Sequence, residues 1–424
     1  MPGRAPLFPR GFLWGAATSA HQVEGGNRND WTEWEHANSA RLAAEAARRH
    51  ANAPTRIPDY ILGRYPNPLQ PQNYISGRAC DHYSRFREDF DIARRLGHNA
   101  HRFSIEWSRI EPEEGKFDER EIEHYREVIR ALRERGMEPF VTLWHWTLPR
   151  WLRDCRGIEN PRFPDFFERY TGRLVTALGD EVRLWMTLNE PTSVIANSYV
   201  RGVWPPQVGS WLRARSVAHR LADAHRRAYG RIHRMQPDAA VGFGNLLCFV
   251  EPESRGPLDR LAAAFRDYIS NSYFLSLTGD SNDYLALQYY FHLRIRFPQA
   301  VCNANKRVSD LGWELFPSGH YNLLKRFATR GKPIFVTESG LADVADSQRE
   351  WYIGESLRAI GQAMQEGADV RGFFYWSLLD NFEWDKGFWP RFGLTEVDYK
   401  TLERRIRPSA WEYKKIIEAN AIEI

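Results

Sequence analysis

EPFVTLWHW (138–146), DFFERYTGRLVTALG (165–179) and RLWMTLNE (183–190) follow one another, and together they decide the fold. The first and third are short and nearly unbroken in apolar residues. Such runs suit strands buried on both faces, as in a parallel sheet covered by helices. The middle stretch is amphipathic, with apolar residues at helical spacing. Strand, helix, strand is therefore the unit, and it recurs. FLWGAAT (12–18), NAHRFSI (99–105), AAVGFGNLL (239–247), DYLALQYY (283–290), PIFVTESG (333–340) and RGFFYWSLL (371–379) bring the apolar runs to eight. Amphipathic stretches such as HYSRFREDFDIARRLG (82–97) lie between most of them. Eight such units favour an α/β protein of the closed (β/α)8, or TIM-barrel, type over an open doubly wound sheet. No Gly-x-Gly-x-x-Gly follows the first run, which counts against a dinucleotide fold.

Length alone, 424 residues, would suggest two or three domains. A (β/α)8 unit with insertions reaches that size by itself, so one barrel over residues 1–424 is expected. Two segments stand outside the repeat. Residues 36–79 form an insertion after the first strand, with a short helix (ARLAAEAARRH) and a Pro/Asn/Tyr-rich loop; residues 201–215 form a loop after the fourth. Both follow strand C-terminal ends, where barrel active sites are built, so they are candidate walls or lids. A plain surface loop is an equally good reading of 36–79.

Composition excludes several classes. With 43% hydrophobic and 26% charged residues the chain is of ordinary globular type. No apolar run approaches the ~18–20 residues that span a bilayer, and the N-terminal stretch does not read as a signal peptide. A cytoplasmic chain with no membrane partner is expected. The net charge of +4 is small beside 58 basic and 54 acidic residues. These charges intersperse along helical stretches, so no nucleic-acid partner is expected. Cys80, Cys155, Cys248 and Cys302 lie far apart without CxxC spacing. Reduced, buried thiols are expected, with no metal and no cofactor. The 16 tryptophans fill a core or stack on sugar rings; composition does not decide which.

The strand ends carry the chemistry. The fourth run ends in Asn189 and Glu190, the seventh in Glu338, the third in His145 and Trp146, and the sixth in Tyr289 and Tyr290. The second ends near Arg102 and Glu106. The eighth leads through Trp376 to Glu383 and Trp384, and the first leads to His21, Gln22 and Glu24. Each has a plain alternative: a Glu just past a strand is more often a loop charge, and His145, Trp146 or Trp384 alone could be core. Their convergence at one barrel mouth shifts the balance. Two carboxylates without a metal-ligand set, a cofactor motif or a Gly-x-Ser-x-Gly elbow suggest chemistry on a glycosidic bond.

The chain resembles the family 1 glycoside hydrolases of β-glucosidase/β-galactosidase type, over nearly its whole length. FLWGAATSAHQVEGG resembles the family's N-terminal signature, TLNEP its acid/base motif, VTESG its nucleophile motif, and FYWSLLDNFEWDKGFWPRFGL its C-terminal sugar-binding signature. The resemblance implies a retaining exo-β-glycosidase acting by double displacement on neutral β-D-glucosides, fucosides or galactosides. It implies Glu338 as nucleophile and Glu190 as general acid/base. It implies Arg102 and Tyr290 as donors to the nucleophile. Gln22, His145, Asn189, Glu383 and Trp384 would hydrogen-bond the first sugar, with Trp376 as stacking platform and Trp146 beside them in the substrate site. An ionised Glu338 needs a cation nearby, and a protonated Glu190 needs burial and a neighbouring negative charge. Glu383, facing the 4- and 6-hydroxyls, disfavours phosphate, although Lys386 lies close by and leaves a 6-phospho-β-glycosidase as an alternative.

Four departures from the family pattern bear on the pocket: Ser339 after the nucleophile, Gln288 before the two tyrosines, Thr147 after His145-Trp146, and a short stretch from Glu190 to Glu338. The shortening falls around strands five and six and puts the aglycone side in doubt. It also motivates a second reading, a non-catalytic carbohydrate-binding barrel. A Schiff-base aldolase is disfavoured, because Lys332 sits at the start of the seventh strand, the wrong end.

Overall fold

A computed structural model describes residues 8–51 and 57–422. The eight apolar runs all form strands: β1 (Leu13–Ala17), β2 (Ala100–Ser104), β3 (Glu138–Trp144), β4 (Leu184–Asn189), β5 (Ala240–Pro252), β6 (Leu285–Arg296), β7 (Ile334–Ser339) and β8 (Val370–Trp376). Neighbours pair in parallel from β1 round to β8. β8 then pairs with β1, Leu13 opposite Gly372 and Ala17 opposite Trp376, which closes the barrel.

The strand sequences explain the two layers of core. Aromatic side chains plug the barrel floor: Phe140 packs edge-on to Tyr284, Phe335 and Phe374 at 5.5, 5.7 and 5.5 Å. Outward side chains pack under the helices, where Trp107, Trp144 and Trp185 are fully buried. Polar groups are left to the strand C-terminal ends, above the aromatic floor.

Three boundaries differ from expectation. The helix expected at 40–50 begins at Asp30 and runs to Ala51, so it starts ahead of the 36–79 segment. The 201–215 stretch is only partly loop. The Ser210 hydroxyl caps a helix, Trp211–Met235, whose first turn uses the segment's last residues. β5 and β6 run well past their expected ends. Pairing continues to Pro252 opposite Ile295, and a short return strand, Ala300–Val301, folds back on β6. The shortening between Glu190 and Glu338 therefore spares the strands, and the two form a ribbon that stands beyond the barrel.

The cysteines are free thiols, as expected, but only Cys80 and Cys248 are buried; Cys155 is exposed and Cys302 half-buried. Lys332 donates to the carbonyl oxygens of Asp280 and Asn282, at the end of the barrel away from the strand C-termini. Among the described residues no helix is long and apolar enough to cross a membrane.

Candidate active site

Ten of the eleven expected site residues line a single cavity of about 360 Å³ at the C-terminal end of the barrel: Gln22, His145, Trp146, Asn189, Glu190, Tyr290, Glu338, Trp376, Glu383 and Trp384. Arg102 lies just beneath, almost fully buried.

Arg102 organises the floor of the cavity. It projects from β2, and its fork reaches three other strands. Nε donates to Thr142 Oγ1 on β3 at 3.1 Å, Nη2 to Asn189 Oδ1 on β4 at 2.6 Å, and Nη1 to Glu338 on β7. A guanidinium suits this place because it offers several donors in a fixed plane and stays charged. Gln288 on β6 adds a second bridge. Its side-chain N–H group donates to Asn189 Oδ1 and to Glu338 Oε1, both at 2.8 Å. Tyr290 donates to the other Glu338 oxygen at 2.9 Å. Gly244 on β5 leaves the room for this: a Cβ there would lie 3.0 Å from Asn189 Oδ1, Gln288 Nε2 and the Met186 sulfur.

The two carboxyls of the pair live in different surroundings. Burial raises the Glu338 carboxyl, and the Arg102 charge with the Arg102 and Tyr290 hydrogen bonds holds that rise back without cancelling it. Burial pushes Glu190 up to about 8, and the charge of Glu338 adds to the push. Glu190 has one side-chain donor, Ser193, at 2.7 Å. Its backbone is left-handed, with φ 38°, and its N–H donates to the Gly244 carbonyl at 2.9 Å. That bend turns the chain from β4 into the short helix starting at Pro191 and leaves the carboxyl facing the cavity. The two carboxyls share one cavity and titrate as a pair, both shifted up by burial, with the strong donors gathered on Glu338.

The remaining residues form the rim and walls. His145 Nε2 accepts from the Asn189 side-chain N–H group at 3.0 Å, and burial drives its pKa well below the usual range, so it is a neutral imidazole. The Trp146 indole N–H donates to the Asn189 carbonyl at 2.9 Å, which leaves that ring to offer faces rather than a donor. Trp384 is stacked between His21 (5.3 Å, 13°) and His145 (5.8 Å, 13°). Gln22 donates to the Phe382 carbonyl at 2.8 Å and to Glu383 at 3.4 Å. Burial and the charges of Asp385 and Glu338 raise Glu383 to about 8. Lys386 sits on Asp385 at 2.5 Å, and Trp204 donates to Asp385 at 3.0 Å.

Residues singled out by sequence but standing apart are Glu106, His21, Glu24 and Tyr289, whose hydroxyl donates to the Phe316 carbonyl at 2.8 Å. Glu106 is buried and accepts from Thr147 at 3.0 Å, Ser108 at 2.6 Å and Asn29 at 3.2 Å. Thr147, one of the departures, thus serves this internal carboxylate rather than the cavity. His21 pairs with Glu35 at 2.7 Å, and Glu24 with Arg109 at 2.9 Å. Ser339, another departure, is within 3.2 Å of the Tyr352 hydroxyl, away from the cavity. Sequence reasoning missed Ser193, Trp204, Phe291, Trp313 and Phe392, which also border the cavity. Ser193 was within reach of a local signal, three residues past Glu190 on the turn that the strand end forces. Phe291 lies on β6 one residue past the expected end of that strand, and Trp204, Trp313 and Phe392 come from loops whose path no periodicity records.

Comparison with known proteins places the chain. The family model for glycosyl hydrolase family 1 matches residues 5–288 and 267–422. Beta-glucosidase A of Thermotoga maritima is 32% identical over 464 aligned positions, covering 98% of this chain and 99% of that one. The alignment is longer than this chain, so the relative carries segments this one lacks. A beta-galactosidase of Pyrococcus woesei is 27% identical over 98% of this chain and 97% of its own length. Among solved structures, the beta-glycosidase from Pyrococcus horikoshii superposes with a TM-score of 0.86 at 34% identity, covering 99% of this chain and 97% of that one. The beta-glucosidase from Thermotoga maritima in complex with glucoimidazole gives 0.86 at 29% identity, with 99% and 100% covered. Closed barrel, cavity and full-length similarity agree, and the chain belongs to glycosyl hydrolase family 1 as an enzyme of the β-glycosidase type.

Proposed function

We propose that the chain hydrolyses β-glycosides of neutral sugars with retention of configuration, with Glu338 as nucleophile and Glu190 as general acid/base. The observation that carries the reading is the asymmetry of the two carboxyls on one cavity. Glu338 has a guanidinium, an amide and a phenol donating to it; Glu190 has burial, a negative neighbour and one hydroxyl. A nucleophile must be ionised and an acid protonated at the same pH, and opposite environments do this for chemically identical groups.

The steps follow from those environments. Glu338 attacks the anomeric carbon while Glu190 protonates the departing glycosidic oxygen, and a covalent glycosyl-enzyme forms. Esterification removes the negative charge of Glu338. The pKa of Glu190 then falls, and its carboxylate takes the proton of a water that attacks the same carbon, while the bond from that carbon to Glu338 breaks and frees the Glu338 carboxylate. Tyr290 stays a phenol, its pKa pushed far up by burial and by Glu338, so it releases its donor bond to a glycosylated oxygen without losing a proton. Asn189, fixed by Arg102, Gln288 and His145, faces the sugar's 2-hydroxyl. Trp376 supplies the platform under the ring, and Gln22, His145, Trp384 and Glu383 accept and donate around its hydroxyls.

Neutral sugars are supported by Glu383 and by the pairing of Lys386 with Asp385. A 6-phosphate would meet the Asp385 carboxylate, and the Lys386 ammonium is already engaged with it. Turnover of an aryl β-D-glucoside by wild type against Glu338→Ala tests the reading; equal rates refute it. NMR of the first-formed anomer tests retention, and an α-anomer refutes it. Faster turnover of 6-phospho glycosides than of neutral ones refutes the substrate class.

A further inference from the structure

The helix Pro257–Asp267, which follows β5, turns apolar residues toward solvent. Leu258, Leu261, Phe265 and the next-turn Tyr268 are 56%, 66%, 58% and 48% exposed. Their spacing of three and four puts them on one stripe of the helix. The opposite side, Ala262 and Ala263, packs on Ile295 of the β5–β6 ribbon. The ribbon's tip lies beside the stripe. The Phe297 amide donates to Asp259 at 2.9 Å, and Gln299 donates to the Ala262 carbonyl at 3.2 Å. Phe297 and Val301 at this tip are themselves 50% and 53% exposed. These six side chains present roughly 600 Å² of apolar surface, at the upper end of the largest patch that a monomeric protein carries.

The rim of the patch is basic. Neighbouring acids are occupied: Glu251 pairs with Arg294, Asp267 with Arg326, and Asp259 holds the ribbon tip and Ser254. Arg255, Arg260 and Arg266 have no carboxylate partner among the described residues. Arg260 and Arg266 flank the stripe on either side. A second copy docking through the same patch would bring these guanidiniums together. An apolar stripe bordered by cations instead matches a surface that is apolar within and anionic at its edge.

We propose that this helix and the ribbon tip form a peripheral docking face for an anionic lipid bilayer. Leu258, Leu261, Phe265 and Phe297 enter the acyl boundary, and the three arginines sit among the lipid phosphates. The face lies on the β5 and β6 extensions, beyond Leu246 and Phe291, which border the cavity, so docking holds the cavity mouth near the membrane.

Flotation of the full chain with vesicles tests this, using phosphatidylcholine alone and phosphatidylcholine mixed with phosphatidylglycerol. Binding to the mixed vesicles, weakened by salt, is expected. Leu258→Glu/Leu261→Glu/Phe265→Glu should lower the partition more than about tenfold. Arg260→Gln/Arg266→Gln should lower it about fivefold per guanidinium and reduce the salt dependence. Both variants should keep wild-type turnover of a soluble aryl glycoside, which shows that they fold. Absence of binding to the mixed vesicles at low salt overturns the proposal, as does equal binding of the triple-Glu variant. A dimer in analytical ultracentrifugation that the triple-Glu substitution abolishes, without vesicle binding by wild type, overturns it in favour of a second copy.

Discussion

Ser193→Ala removes the hydroxyl that donates to Glu190 at 2.7 Å, and nothing else of size. The bond favours the charged carboxylate, so its loss raises the pKa of Glu190 above its starting value of about 8. A hydrogen bond to a charged group contributes about 1.5–3 kcal/mol net, and each pKa unit corresponds to about 1.4 kcal/mol. The raw shift is thus about one to two units. A hydroxyl also bonds to a neutral carboxyl, which takes part of this back, leaving about one unit. The alkaline limb of kcat/KM for an acid-catalysed step reports the free enzyme's acid, so that limb should move up by about one pH unit with an aryl β-D-glucoside. Glu383 is also raised to about 8, and the same profile in Glu383→Gln separates the two contributions. A limb that stays in place, or moves down, refutes the assignment of the shared proton to Glu190.

Three further outcomes follow from the same network. Arg102→Lys should lower kcat about a hundredfold, since an ammonium cannot reach Thr142, Asn189 and Glu338 at once; steady-state kinetics reads it. Gly244→Ala should lower kcat about tenfold while leaving every sugar-facing side chain in the sequence, because its methyl group crowds Asn189 and Gln288 at 3.0 Å. The carboxyls of Glu190 and Glu383 have folded-state pKa values raised to about 8 from 4.5. Between those values the folded chain holds protons that the unfolded chain has released. Stability from these groups is therefore fully present below about pH 4.5 and is lost as pH rises to about 8. Glu383→Gln should flatten the fall of Tm over that window, measured by calorimetry; an unchanged slope refutes the buried, protonated state of Glu383.

The barrel was legible because its strands are buried on both faces. That condition leaves near-continuous apolar runs such as PIFVTESG, and β7 spans Ile334–Ser339 within that run. The ribbon beyond the barrel was not read. After Tyr290 the sequence alternates polar and apolar, as His292-Leu293-Arg294-Ile295-Arg296 shows. Those residues have one covered face, and alternation is the mark of that environment rather than of a loop. The candidate site was legible where residues sit at strand ends, since a strand end fixes where a side chain points. Gln22 and Glu383 lie past the ends of the first and eighth strands, and their sugar-binding roles came only through resemblance. The amphipathic stretch at 257–267 was hidden differently. Its apolar period is a good helix signal, but period alone does not tell whether the apolar face turns inward or out.

The fork of Arg102 joins β2 to β3, β4 and β7, and Gln288 of β6 joins the same pair of acceptors. These strands come from both halves of the chain. Neither half alone can assemble the floor under Glu338, so hydrolysis is a readout of ring closure. The enzyme cut in the loop between Glu190 and the helix at Trp211 would be silent as two fragments. Colour from an aryl glycoside would appear only where the fragments meet, which makes the fold a candidate for sensing proximity between whatever is fused to each piece.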